Sequence, residues 1–303
     1  MEEDIPELAL FASINKNSPF LRYIEPFIGK IKFKNLIENP MFFFKEDAFT
    51  PNENVVLNNK ISRTNTILSV SCWLLKDTCG STPSGYLVNT NIANPFWDEQ
   101  LNYCTLANGT HENTFFSKSE ILQVMDLDRK FRDIIGPLEN VYKSENGFSS
   151  SKFSLRNYAT YNKMARAQQF VFLARCTSSL LQKISWYIVA LEALFSTGPA
   201  DISFKLRFMV AYFLGGEPAD LEMTTSIINK GYDLRSKFLH GASFESKKLK
   251  KLVDRQYQEQ VSVGLDTILR KSFNMIILDK DKKDIVFDDE KSNDFFKNKL
   301  HGF

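Results

Sequence analysis

Seven residues, Leu173, Thr177, Leu180, Ile184, Tyr187, Leu191 and Leu194, recur at alternating intervals of four and three. That spacing keeps their side chains on one stripe of a helix and predicts a long buried seam, eased near Thr177-Ser178-Ser179. Gly198-Pro199 stops it. Such a stripe needs apolar partners, and the following sequence supplies them. A second helix, capped by Asp201 or Ser203, runs through Phe204, Phe208, Ala211 and Tyr212 to a stop at Gly215-Gly216. Pro218 opens a third that ends at His240. A fourth runs from about Ser246 through Leu249, Leu252, Val253, Val261, Leu265, Ile268 and Leu269 to about Leu278. Four helices with short connections predict a bundle over residues 151–280.

The first 150 residues read differently. Pro6–Phe11 and Phe20–Ile24 suggest short helices. Lys30–Lys34, Met41–Phe44, Val55–Leu57 and Thr66–Leu75 have the apolar or alternating character of strands, with turn signals around 50–53, 80–85 and 93–95. From Ser119 the pattern turns helical through Ile121, Leu122, Met125, Leu127, Phe131, Ile134 and Ile135, and Pro137 kinks or restarts it. Ser144–Ser151 is the best linker. The expected fold class is therefore α+β: an N-terminal mixed α+β domain (1–150) with a small antiparallel sheet, then an all-α four-helix bundle (151–280). A charged tail (281–303) follows, with a small strand at Ile285-Val286-Phe287 and a short helix near Phe295-Phe296.

Composition narrows the function classes mainly through where charge falls. Residues 151–280 carry 19 Lys and Arg against 11 Asp and Glu, a net of +8, while the rest carries 19 against 25, a net of −6. A basic half favours a polyanionic partner, although a solvated helical surface also accounts for it. The four cysteines (Cys72, Cys79, Cys104, Cys176) include no Cys-x2-Cys pair, which argues for reduced thiols and against a zinc site or a disulfide framework. The acidic Met-Glu-Glu-Asp start is unlike a signal peptide, and no apolar run approaches the ~20 residues that span a bilayer. The expectation is a cytoplasmic protein with no membrane partner. No Gly-rich phosphate loop, His-Glu-x2-His or nucleophile elbow is present, and His111 reads as a loop or surface histidine.

The stretch Tyr232-Asp233-Leu234-Arg235-Ser236-Lys237-Phe238-Leu239-His240-Gly241 pairs an arginine with one of only three histidines. Upstream stands Ala190-Leu191-Glu192-Ala193-Leu194-Phe195. Together these resemble the Arg-x4–6-His motif and first-helix signature of the HEPN superfamily, specifically its Apea-like branch, over roughly residues 155–280. The resemblance implies an RNA-cleaving or RNA-binding helical domain of toxin or antiviral-defence type, needing no cofactor and no metal. It also implies a homodimer in which two such motifs meet.

The residue types suit that chemistry. Cleavage by 2′-hydroxyl attack needs a proton acceptor, a proton donor and cationic density on the phosphorane. Histidine titrates near neutral pH, and the arginine fork holds two phosphate oxygens without deprotonating. Arg235 and His240 are the catalytic candidates, with Ser236 a hydrogen-bonding helper and Asp233 a carboxylate partner for the arginine. Glu192 either orients Arg235 or the histidine, or makes a structural ion pair. Lys237, Lys247 and Lys248 are the RNA-backbone candidates, and the Lys247-Lys248-Leu249-Lys250-Lys251 run has a solvated helix turn as its alternative reading. Positions five apart lie about 140° apart on a straight helix, so Arg235 and His240 converge on one ligand only if the last turn distorts or a second chain completes the site. The N-terminal domain would then bind a regulatory protein or ligand.

Overall fold

In the computed structural model, residues 9–11, 41–43, 66–79, 85–88, 96–99, 104–136, 161–196, 202–239 and 254–300 are described. The chain divides into two compact units, one of residues 1–61 with 84–99 and the other of residues 62–83 with 100–303. The smaller unit contains two separate antiparallel ribbons. β1 (Ala9–Phe11) pairs with β2 (Met41–Phe43), Leu10 opposite Phe42, and β3 (Gly85–Val88) pairs with β4 (Phe96–Glu99), Leu87 opposite Trp97.

The larger unit is helical and shows no strand among its described residues. Its helices are α1 (residues 66–75), α2 (Lys118–Ile135), α3 (Lys163–Arg175), α4 (Leu180–Phe195), α5 (Ile202–Leu214), α6 (Pro218–Leu239), α7 (Arg255–Leu278), α8 (Lys280–Phe287) and α9 (Asp289–Leu300). Asn162 caps α3 through Ala165 N–H (2.8 Å), and its amide donates to Ile134 O at the end of α2 (2.8 Å), binding two helix ends with one side chain. The α2 start is a capping box: Ser117 Oγ accepts from Glu120 N–H, and Glu120 accepts from Ser117 N–H at 2.7 Å.

The expected mixed α+β fold is corrected by these helices. Thr66–Leu75, read as a strand from its β-branched and apolar run, is helical. Ile67, Val70, Ser71 and Leu74 fall at helical spacing, and all four are buried with Trp73. A ten-residue apolar run carries too little periodicity to separate the two conformations, and burial in a helical core decided it. Two detached ribbons three and four residues long are not the expected sheet, since a stable sheet needs at least three strands on a shared face. Ile285–Phe287, expected as a strand, lies in α8, and Ala9–Phe11, expected in a short helix, lies in β1. The elements expected at 20–24, 30–34, 55–57 and 144–151, and the start of the fourth helix expected at 246–253, fall outside the described residues.

The seam residues from Leu180 to Leu194 do line one helix, α4, with Ile184, Tyr187, Leu191 and Leu194 fully buried. Its easing point is a real break, residues 176–179, between α3 and α4. Around α4 pack α3, α6, α7 and, more lightly, α5. Phe273 of α7 joins the outer helices, meeting Trp73 of α1 edge-on (5.6 Å between centroids) and Phe131 of α2 (6.1 Å). Gly231 lets α6 cross closely: a Cβ there would meet Ile188 Cδ1 at 2.9 Å and Leu265 Cδ1 at 3.0 Å. That crossing sets the depth of the next residue, Tyr232, and of Arg235 one turn on.

Candidate functional site

Two polar constellations stand out in the helical unit, only one of which the sequence singles out. In the first, Glu192 near the end of α4 faces the last turns of α6. Arg235 Nη1 donates to Glu192 Oε1 at 2.6 Å, and Tyr232 OH donates to the same oxygen at 2.8 Å. Tyr232 and Arg235 are three apart and so share a face of α6, while buried Leu234 anchors that helix to the core. The Arg235 and Glu192 side chains retain 24% and 22% of their exposure, so this pair lies at the edge of the core rather than inside it. Burial, and then the Glu192 charge, push the Tyr232 phenol well above its ordinary range, so it remains a hydrogen-bond donor.

The other candidates separate from this triad. Asp233 and Ser236 are exposed and Lys237 is half-buried. Asp233 makes no ion pair with Arg235 among the described residues; its charge instead acts on Tyr257 of α7, whose phenol is raised first by burial and then by that carboxylate. His240, Lys247 and Lys248 lie outside the described residues. Glu192, Tyr232 and Arg235 are therefore what the fold brings together. Glu192 engages Nη1 alone, and no second partner of the guanidinium is present among the described residues.

The second constellation is buried at its centre, where Asp266, Arg175, Trp73, Tyr187 and Lys183 lie, with Asp77 and Arg270 partly exposed at its margin. Asp266 of α7 accepts on Oδ1 from Trp73 Nε1 (2.7 Å) and Tyr187 OH (2.9 Å). Arg175, at the end of α3, lies 3.7 Å from the same oxygen, bonds Asp77 Oδ1 at 3.2 Å and donates to Thr78 O. Arg270 Nη2 lies 3.1 Å from Oδ2, an ion pair without hydrogen-bond alignment. Lys183 of α4, also fully buried, donates to Thr105 Oγ1 (2.8 Å) and Ala174 O (2.7 Å). Burial pushes the Asp266 carboxyl up and pushes Lys183 down to about 8. The available signal was charge on apolar stripes: Lys183 lies beside Ile184 and one turn before Tyr187, and Asp266 sits between Leu265 and Leu269. This network joins α1, α3, α4 and α7.

An open apolar groove lined by Leu74, Leu75, Leu122, Leu127 and Leu278, about 530 Å³, carries Asp126 as its only ionisable side chain and offers no catalytic set. Among the described residues, no three His, Cys, Asp or Glu side chains are arranged to hold a metal ion, and no helix is long and apolar enough to cross a membrane. Neither a protein-family model, nor a curated protein, nor a solved structure matches the chain.

Proposed function

We propose that the chain is a metal-independent endoribonuclease of toxin or antiviral-defence type, cleaving RNA by 2′-hydroxyl attack at a site shared between two copies. The observation that supports this reading is the convergence of Arg235 and Tyr232 on Glu192 Oε1. It joins the two sequence blocks that carry the HEPN resemblance into one hydrogen-bonded group. Glu192 holds one edge of the guanidinium, which fixes its direction and leaves its remaining N–H donors for phosphate oxygens. Arg235 then stabilises the charge that accumulates on the phosphorane, and His240 moves the protons. One histidine per chain serves both transfers when a twofold axis supplies its twin, so the active species is a homodimer.

The second reading is a non-catalytic RNA- or nucleotide-binding module, or a dimerising scaffold. The same contact favours it, because a guanidinium already neutralised at 2.6 Å has less charge to offer a phosphate. Arg235→Ala and His240→Ala, made separately, divide the readings. The nuclease reading expects each to abolish cleavage while circular dichroism stays unchanged. RNA binding without cleavage by the unmutated protein selects the module, and loss of folded structure in both variants selects the scaffold.

A further inference from the structure

His111, which the sequence leaves as a loop or surface histidine, is exposed, and one of its ring nitrogens meets a thiol. Cys79 Sγ lies 3.2 Å from His111 Nδ1 and 3.0 Å from Cys104 O. The backbone explains the meeting. Residues 106–110 form a turn closed by Leu106 N–H to Thr110 O and Gly109 N–H to Leu106 O, both at 2.9 Å, and His111 stands at its exit. The 77–79 segment, just beyond α1, is tied to this stretch on both sides. Asp77 Oδ2 accepts from Ala107 N–H at 2.9 Å, and Cys79 N–H donates to Thr114 Oγ1 at 3.1 Å. Thiol and imidazole therefore face each other from two segments that are pinned together.

A thiol has one proton, and this one has two acceptors. Turned to the Cys104 carbonyl, the proton is held in a hydrogen bond. Turned to an unprotonated Nδ1, it is in reach of a base. A nucleophile and a base about 2.6–3.2 Å apart have the geometry by which an imidazole activates a cysteine. The thiol must also be reachable, and reactive cysteines are partly exposed ones. Cys79 is half-buried beside an exposed histidine. The other three thiols are worse placed. Cys104 is 1% exposed, with its sulfur 3.4 Å from Ser69 Oγ. Burial, then Asp128, pushes Cys72 up to about 11. The hydrogen bond with Cys104, then burial, pushes Cys176 up as well. Among the described residues, Cys79 is the cysteine with a histidine in contact.

We propose that Cys79 and His111 are a nucleophilic thiol–imidazole pair at the protein surface, which exchanges with small-molecule disulfides to give a mixed disulfide on Cys79. His111 Nδ1 takes the Cys79 proton. The thiolate attacks one sulfur of the disulfide, the new S–S bond forms and the old one breaks. The departing thiolate leaves with the proton that His111 held. The Cys79 sulfur is oxidised and the departing sulfur is reduced, so one protein thiol and one disulfide give one mixed disulfide and one small thiol.

The test treats the full-length purified protein with a limiting amount of 2,2′-dithiodipyridine, a small neutral disulfide. Absorbance of the released thiopyridone gives the rate, and non-reducing peptide mapping gives the position. The expected first product is the mixed disulfide on Cys79. Free cysteine is only a few per cent thiolate near neutral pH, so removing the base in His111→Gln should slow labelling of Cys79 by about tenfold. First labelling at Cys72, Cys104 or Cys176 overturns the proposal. So does a rate at Cys79 that His111→Gln leaves unchanged. Circular dichroism checks that the variant is folded, and the order of labelling in the unmutated protein decides the matter if it is not.

Discussion

Replacing Asp266 by alanine tests whether the buried network holds the helical unit together. The substitution strips Trp73 Nε1 and Tyr187 OH of their shared acceptor, and both side chains are fully buried. Each orphaned neutral donor costs about 1–3 kcal/mol. It also removes one of the two carboxylates beside Arg175, and breaking a buried ion pair costs about 3–5 kcal/mol. Asp77 and Thr78 O still hold Arg175, which keeps the total below the simple sum, at about 4–6 kcal/mol. Set against a usual stability of about 5–15 kcal/mol, that loss leaves Asp266→Ala marginal or unfolded. Asp266→Asn keeps an oxygen for the donors and removes only the charge, so it falls between. The assay is urea denaturation followed by far-ultraviolet circular dichroism, reading the midpoint at unchanged slope. A loss under about 1 kcal/mol for Asp266→Ala refutes the reasoning, because orphaned donors at these distances leave no room for so small an effect.

Two further perturbations probe the fold around the sites. Gly231→Val places atoms where Ile188 and Leu265 already stand, and overpacking of this kind costs about 1–3 kcal/mol; thermal denaturation should show a lowered midpoint, and an unchanged one contradicts the close crossing of α6. Glu120 is held down to about 2, first by the Lys76 ammonium and then by the Ser117 backbone bond. Because its folded value is depressed, its contribution is present above about pH 4.5 and is lost as pH falls through 2. Glu120→Gln should therefore remove part of the acid sensitivity in that window, and an identical acid transition in both proteins contradicts the pairing.

The helices α4, α5 and α6, and α7 from Arg255 onward, were legible because apolar spacing over long stretches, punctuated by Gly215-Gly216 and Pro218, admits few alternatives. Thr66–Leu75 was not, since ten residues with three Leu, two Ser and one each of Thr, Ile, Val, Cys and Trp fit either period until their partners are known. Glu192 was legible as a partner of Arg235 from its place in the apolar Leu191–Phe195 run, and the structure makes that contact. The Asp266 network escaped the sequence because its members are distant in the chain, Trp73 and Asp266 lying 193 positions apart. Nothing local announces such a meeting. Lys183 and Asp266 did carry a signal, a charge on an otherwise apolar stripe, which asks for a buried partner without naming it. Of the two carboxylates that the sequence offers Arg235, Glu192 makes the contact, because Arg235 turns toward α4 while Asp233 is exposed and acts on Tyr257.

If Arg235 and His240 cleave RNA as proposed, the ends of the fragments report it most directly. Purified protein incubated with total RNA in excess EDTA should yield fragments ending in 2′,3′-cyclic phosphate, with cleavage falling away on dilution as a dimer separates. Fragments carrying 3′-hydroxyl ends, or cleavage that EDTA abolishes, contradict the account.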